Sequence, residues 1–343
     1  MIHSLASSLG IAAVVRRLGD RFRLDRRRPW LRRRRGAQPL LILPYHRVAP
    51  APDDLLLSPT PPDVFEAQIA HVTGCYRVLP LEAALDALFA GGLPPRSAAI
   101  TFDDGYRDNL EYAYPILKKY NAPATIFLAT DFIGSGRLPP HDGIARAVRR
   151  AGVSSARMEW KGRLVEFRFD SPGGASAAIA CLTGWLRACD SHETAALLSQ
   201  VAEITKSSAG EREAPAMLSW DEARSLRGGI IAFGSHGRSH VACARLTREE
   251  LDAELSGSRA VIERELGARV RLFAYPFGKP EDIGPHAPAA AARAGYEYAL
   301  TTVGAPADMG CDRFAVPRGG PVWETRAGAF AARLAWWRFA RGV

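Results

Sequence analysis

Cysteine is scarce in this 343-residue chain: Cys75, Cys181, Cys189, Cys243 and Cys311 are all there is. The count is odd and no Cys-x-x-Cys occurs, which argues against a disulfide framework and for small buried or half-buried thiols. Such thiols are compatible with a reducing compartment. A membrane-spanning run is also lacking. The apolar stretch Leu5 to Val15 is shorter than the roughly 20 residues a spanning helix needs. Nor does it read as a standard signal peptide, because its positive charges follow the apolar run and no small-residue cleavage site precedes them. Excess charge is missing from most of the chain as well. Residues 16–35 hold eleven arginines against two aspartates and account for the whole formal charge of +9. The remainder is balanced at 34 basic and 34 acidic residues, so the body is not a basic nucleic-acid binder and no nucleic-acid partner is expected. With 47% hydrophobic residues the chain is globular, and its length allows one to three domains.

Residues 1–38 read as a basic N-terminal arm. Ile11, Val14, Val15, Leu18 and Phe22 fall on one helical face among arginines, the pattern of a helix lying on an anionic membrane surface. Arg32 to Arg35 would add electrostatic attraction. A disordered basic leader or a misassigned translation start fits the same residues. The expected location is cytoplasmic or peripheral at the membrane.

From residue 39 onward, strand-like and helix-like stretches alternate, the rhythm of an α/β architecture with parallel strands. Strands are predicted at 39–46, 98–102, 124–129, 230–234, 272–275 and 298–302. Helices are predicted from Thr60-Pro61-Pro62, with Thr60 as the cap, and over 81–89 and 109–120. Ser219-Trp220-Asp221-Glu222 and Thr247-Arg248-Glu249-Glu250 match capping boxes, the second opening a helix to Leu266. A terminal helix is predicted over 330–339. The rhythm breaks at about 135–215, where a hairpin over 160–169 and two helical stretches suggest an inserted α+β subdomain. It is either a lid that sets specificity or a structural or oligomeric embellishment. Periodicity alone does not separate a barrel from an open sheet.

The densest chemistry lies in Thr101-Phe102-Asp103-Asp104-Gly105, where two adjacent acids follow an apolar strand and precede a turn glycine. Successive side chains of a strand point to opposite faces, so neighbouring acids serve one site only where the strand ends and bends. A solvated Asp-Gly turn is the alternative. A second strand, Ile230 to Gly234, ends in Ser235-His236-Gly237-Arg238-Ser239-His240. His-x-x-x-His on a helical turn puts two imidazoles on one face. Asp104, His236 and His240 would then make three protein ligands with open positions left over, as in a catalytic zinc site.

These runs, with Phe273-Ala274-Tyr275-Pro276-Phe277-Gly278, resemble the ordered motifs of the polysaccharide deacetylases, the NodB-homology group of carbohydrate esterase family 4. Residues 98–129 and 217–320 follow the family pattern. The resemblance implies a distorted (β/α) barrel with about seven parallel strands over 39–343, and removal of N-acetyl groups from an amino-sugar glycan. It implies a divalent metal on Asp104, His236 and His240, with zinc favoured and nickel or cobalt also suited to imidazole and carboxylate. Asp103 would be the general base. Two positions depart from the commonest pattern. Ala274 stands where the family usually carries an arginine, and no late Leu-x-His is visible. Leu43-Pro44-Tyr45-His46-Arg47-Val48 instead resembles the branch with an early Tyr-His element, which includes poly-N-acetylglucosamine deacetylases and would make His46 the general acid. Arg318 would replace the missing arginine and orient Asp103, or else is an ordinary surface or ion-pair arginine. A backbone N–H near Tyr275 or Phe277 would face the oxyanion, and Tyr275, Pro276 and Phe277 would line the acetyl methyl. Trp220 would stack on a sugar, or else is a core aromatic. Two other classes stay open: a hydrolase of a small linear or cyclic amide using the same site, and a non-catalytic glycan-binding relative.

Overall fold

The computed structural model describes residues 38–207 and 216–340, the side chains from Trp337 onward excepted. The arm and its proposed amphipathic helix lie outside the described residues. The chain alternates β1 (Leu41–Tyr45), α1 (Pro62–Cys75), β2 (Arg77–Val78), α2 (Leu81–Phe89), β3 (Ser97–Phe102), α3 (Tyr114–Lys119) and β4 (Ala124–Leu128). An excursion over Pro140–Thr205 follows, comprising α4 (Pro140–Arg149), β5 (Ser155–Trp160), β6 (Arg163–Arg168), α5 (Pro172–Leu186) and α6 (Ser191–Thr205). The alternation resumes with α7 (Trp220–Leu226), β7 (Ile231–Ser235), α8 (Arg248–Leu266), β8 (Leu272–Ala274), α9 (Pro280–Ile283), α10 (Ala287–Arg293), β9 (Tyr298–Leu300) and α11 (Ala327–Ala340). The seven strands of the main sheet are parallel, ordered β1-β3-β4-β7-β8-β9, with β2 beside the start of β3.

Period-two alternation sorts the strand residues into two layers. Leu41, Leu43, Tyr45, Ala98, Ile100, Phe102, Ile126, Phe273 and Tyr275 pack outward against α1, α3, α8 and α10. Ile42, Ala99, Phe127, Leu272, Ala274 and Leu300 point the other way and share a cluster with Leu81, Leu85 and Leu88 of α2. This second cluster is the barrel interior. It is closed at the strands' N-terminal end by α2, whose Asp86 binds Arg271 and Tyr298 there. The interior is tight: a Cβ on Gly234 would sit 2.5 Å from the Phe127 ring. Only glycine leaves room for that phenyl in β7, the strand that leads to His236.

The sheet's two edges are joined by an extended segment near residue 318. Val316 exchanges backbone bonds with Ala299 and Thr301 beside β9, and the Gly319 N–H donates to Ile42 O of β1 at 2.9 Å. Leu40 and Ala307 form a further bridge. The result is the distorted barrel that the motifs implied. It also carries Arg318 into the interior.

Two local expectations differ. Thr60 does not cap α1; its backbone pairs with Arg47 and Ala49, and Pro61 precedes the helix. The helix expected over 109–120 begins as a π-turn at Asn109–Ala113 and becomes α-helical only at Tyr114. The Pro115 ring would clash with the Glu111 carbonyl in a regular α-turn, which favours the wider register. Both predicted capping boxes are present, Ser219 with Glu222 and Thr247 with Glu250.

The excursion between β4 and β7 has its own apolar centre, built from Ile144, Val148, Met158, Phe167, Leu182, Leu197 and Val201. Arg187 ties it to Asp282 of α9, and Arg150 pairs with Asp54. Among the described residues no helix is long and apolar enough to cross a membrane.

Candidate metal centre and active site

The same alternation brings the site together. On β1 and β3 the inward positions extend to His46 and Asp103; on β7 they extend to His236. Asp104 would point outward on a continuing strand. Its φ of +73° and the +86° of Gly105 turn the chain instead, and Asp104 joins the inward cluster. A side chain with positive φ is strained, and such strain persists where surrounding structure holds it. His240 and Phe277 share it, at +57° and +60°.

Asp104 Oδ1 lies 3.4 Å from His236 Nε2 and 3.2 Å from His240 Nε2. The three donor atoms lie within 4.8 Å of one another, all buried. Asp104 Oδ1 has no hydrogen-bond partner. His236 Nδ1 is 2.7 Å from the Ala274 carbonyl, which only accepts, so Nδ1 carries the proton and Nε2 presents a lone pair. A carboxylate oxygen facing imidazole lone pairs in a buried pocket is a repulsive arrangement that a cation relieves. The donor set therefore fits a divalent ion, and carboxylate with two imidazoles suits zinc and neighbouring first-row metals. Burial pushes the His236 pKa down to about 4, outweighing the pull of Asp103 and Asp104, which keeps the ring neutral. Burial acts the same way on His240, but Asp104 outweighs it and the pKa rises. Asp104 itself is held well below the usual carboxylate range, because His240 and His236 overcome its burial.

The two histidines do not occupy a helical turn. Residues 236–240 form a loop after β7, and the spacing works because the loop folds around a carboxylate. Glu254 Oε1 of α8 accepts from Arg238 N–H and Ser239 N–H, each at 2.7 Å, and from the Ser239 hydroxyl at 3.1 Å.

Asp103 is gripped from the barrel interior. Arg318 donates Nη1 to Oδ1 at 2.7 Å and Nη2 to Oδ2 at 2.8 Å, with neither residue more than 1% exposed. Arg318 is fixed in turn by Nε–H to Thr301 O and Nη1 to Thr101 Oγ1. Burial pushes Asp103 up; the charge and hydrogen bonds of Arg318, with the nearby His236 and His46, together outweigh it and leave the carboxyl below its ordinary value. His46 Nε2 stands 3.8 Å from Asp103 Oδ2, and its side chain is 36% exposed, so it faces the open side of the site. Its backbone is pinned by Asn109, whose Nδ2 donates to His46 O at 2.9 Å. Asn109 also donates to Asp108, which binds Arg47 Nε at 2.9 Å.

The structure thus brings together Asp103, Asp104, His236, His240, His46 and Arg318. Phe277 joins them, edge-on to His240 with ring centroids 5.0 Å apart. Pro276 is buried next to it. Tyr275 does not line the site: it falls on the outward parity of β8, and its hydroxyl donates to Phe314 O at 2.8 Å. Trp220 opens α7 and packs against the outer core and Gly134, away from the ligand cluster. Sequence reasoning missed Glu254, Asn109 and a buried group formed by Tyr106, His141 and Asp142. Asn109 follows the Asp-Asp-Gly motif closely and was open to suspicion. Glu254 sits in an ordinary amphipathic helix and carried no local signal.

Residues 90–299 match the family described as polysaccharide deacetylase. The chain belongs to that family. The Bacillus subtilis protein YxkH is 37% identical over 107 residues, which is 31% of this chain and 37% of that protein. The poly-beta-1,6-N-acetyl-D-glucosamine N-deacetylase of Staphylococcus epidermidis is 51% identical over 45 residues, 13% of this chain and 16% of that one. The chain therefore spans 37% and 16% of the length of these curated relatives. Streptococcus pyogenes deacetylase PplD, solved in complex with acetate, shares the fold with a TM-score of 0.56 at 18% identity, over 87% of this chain and 99% of that one.

Proposed function

We propose that this protein is a metal-dependent hydrolase that removes N-acetyl groups from an amino-sugar glycan. The observation that carries the reading is the division of labour between adjacent acids. Asp104 faces His236 and His240, while Asp103 is held by Arg318 and faces His46. When bound, a divalent ion supplies Lewis-acid polarisation of a carbonyl and acidification of water. Asp103 is ionised and oriented to take the proton of an attacking water. Arg318 keeps both carboxylate oxygens in place without itself reaching the open side. His46 protonates the departing amine, which leaves poorly unless protonated. Phe277, half-buried beside His240, would border the acetyl methyl. Zinc is the favoured ion. The 45-residue stretch that is 51% identical to a poly-beta-1,6-N-acetyl-D-glucosamine N-deacetylase makes that polymer the first substrate to try.

The test is acetate release from N-acetylglucosamine oligomers of defined linkage by the full chain with a metal series. Asp103→Asn is expected to keep the metal and lose about 10²–10⁴-fold in rate. Asp104→Ala is expected to lose the metal. Near-parental turnover by Asp103→Asn would overturn the base assignment. Turnover of small linear or cyclic amides alone would move the substrate class, and metal binding with no turnover would favour a glycan-binding role.

A further inference from the structure

The inserted segment reaches the metal-ligand cluster through one buried line of polar groups. Asp142 of α4 is fully buried. Its Oδ1 accepts the Leu56 N–H at 2.8 Å, and its Oδ2 accepts the Tyr106 hydroxyl at 2.7 Å. The Tyr106 oxygen lies 3.2 Å from His141 Nε2, which is also 3.6 Å from Asp142 Oδ2. His141, 4% exposed, packs its ring against that of His240, with centroids 4.8 Å apart and planes at 56°. Both Nδ1 atoms of these facing rings are buried and have no hydrogen-bond partner.

The hydrogens along this line are dictated from its two ends. A carboxylate only accepts, so the Tyr106 hydroxyl donates to Asp142. The Tyr106 oxygen is then free to accept, and His141 Nε2, facing it and the carboxylate, carries the ring proton. A neutral imidazole protonated there has its lone pair on Nδ1. At the other end, His240 turns Nε2 toward Asp104. A metal ligand needs its lone pair on that atom, so the proton of His240 sits on Nδ1. The two Nδ1 atoms do not bond to each other, so the contact between the rings is one of packing.

We propose that His141 is a positioning residue for the metal site: anchored by Tyr106 and Asp142, its ring backs the His240 ring and sets the tilt of that ligand. This rests on the reading of Asp104, His236 and His240 as metal ligands. The two ligand rings are then held by different parts of the chain. His236 is oriented by the barrel, through the Ala274 carbonyl, and His240 by the inserted segment. The insertion becomes a component of the metal centre as well as a neighbour of it.

The probe is cobalt(II) added to the metal-free full chain, followed by chelator competition for affinity and by its visible d–d absorption for ligand geometry. His141→Leu should weaken cobalt binding at least about tenfold, the usual cost of losing a group that orients a ligand, and should alter the spectrum. His141→Phe, which keeps a flat ring against His240, should recover most of the affinity. Tyr106→Phe, nearly isosteric in a fully buried pocket, should fall between parent and His141→Leu. A His141→Leu protein with parental affinity and spectrum overturns the proposal. Should His141→Leu fail to fold by circular dichroism, Tyr106→Phe decides, and parental cobalt binding there overturns it equally. A parent chain that binds no cobalt overturns the metal reading and the positioning role together.

Discussion

Arg318→Met would leave Asp103 buried without its cation, and the structure sets the scale of the damage. The guanidinium makes two charge-assisted bonds to the carboxylate, at 2.7 and 2.8 Å, inside the barrel. Removing one partner of such a buried pair costs about 3–5 kcal/mol, because the remaining charge is neither paired nor hydrated. That is a large part of the roughly 5–15 kcal/mol that stabilises a typical domain. The methionine variant should therefore be close to unfolding, and lysine is the substitution to assay. Arg318→Lys keeps the charge but not the planar fork. One carboxylate oxygen and the Thr301 carbonyl lose their donors, and urea unfolding should report a loss of about 1–3 kcal/mol. Acetate release should fall about 10²-fold as the base drifts, with metal content unchanged. A double substitution makes the reasoning refutable. If Arg318 acts by holding Asp103, adding Arg318→Lys to Asp103→Asn should cost little further rate, since the two act as a unit. Losses that simply multiply, or an Arg318→Lys enzyme within about twofold of the parent, would refute it.

His46→Ala should lower the rate about 10²–10⁴-fold without metal loss, measured by acetate release and metal analysis; an unchanged rate removes the early-acid assignment. Glu254→Ala leaves three loop donors without their acceptor, so metal affinity should fall about tenfold, while Glu254→Gln, which keeps an oxygen there, should lose less. Equal affinity in all three proteins would show that the loop needs no such anchor. Asp108 carries a pH dependence. Burial raises its carboxyl to about 7 despite Arg47, with Val48 N–H and Asn109 Nδ2 also bonded to it and Asp53 beyond Arg47. The folded state therefore keeps a proton that the unfolded chain has lost. Stability from this group is full below about pH 4 and falls up to about pH 7, at most ~1.4 kcal/mol per pH unit. Asp108→Asn should remove that slope in urea titrations at about pH 5 and about pH 7.5, and parallel slopes in both proteins would refute it.

Much of the site was legible because it follows local rules. The acids of Asp103-Asp104-Gly105 had to sit at a strand end, since only a bend lets neighbours share one face. The two capping boxes announced their helices, as each needs only a side chain three residues from its own backbone. Tyr275 could have been placed too. It is one residue beyond β8 on the outward parity, and counting alternation from Leu272 would have removed it from the acetyl wall. Trp220 had no comparable signal, because an aromatic at a helix start fits sugar stacking and core packing equally well. The histidine pair was found for an imperfect reason: the spacing suggested a helical turn, whereas the loop around Glu254 delivers the same convergence.

By itself the sequence determined the alternating elements, the order of the motifs and the residue types of the Asp103-Asp104 and His236/His240 clusters. Those properties depend on residues near one another in the chain or on the two-residue period of a strand. Tertiary structure alone decided what completes them. Ala274 leaves the usual orienting position empty, and closure of the barrel between β9 and β1 swings Arg318 into contact with Asp103, more than two hundred residues away. Packing of α8 delivers Glu254 to the histidine loop, and packing of α4 delivers His141 to His240. Long-range partners of this kind leave no periodicity behind, because only burial brings a lone arginine, glutamate or histidine to the one place where its charge is satisfied or its ring packs.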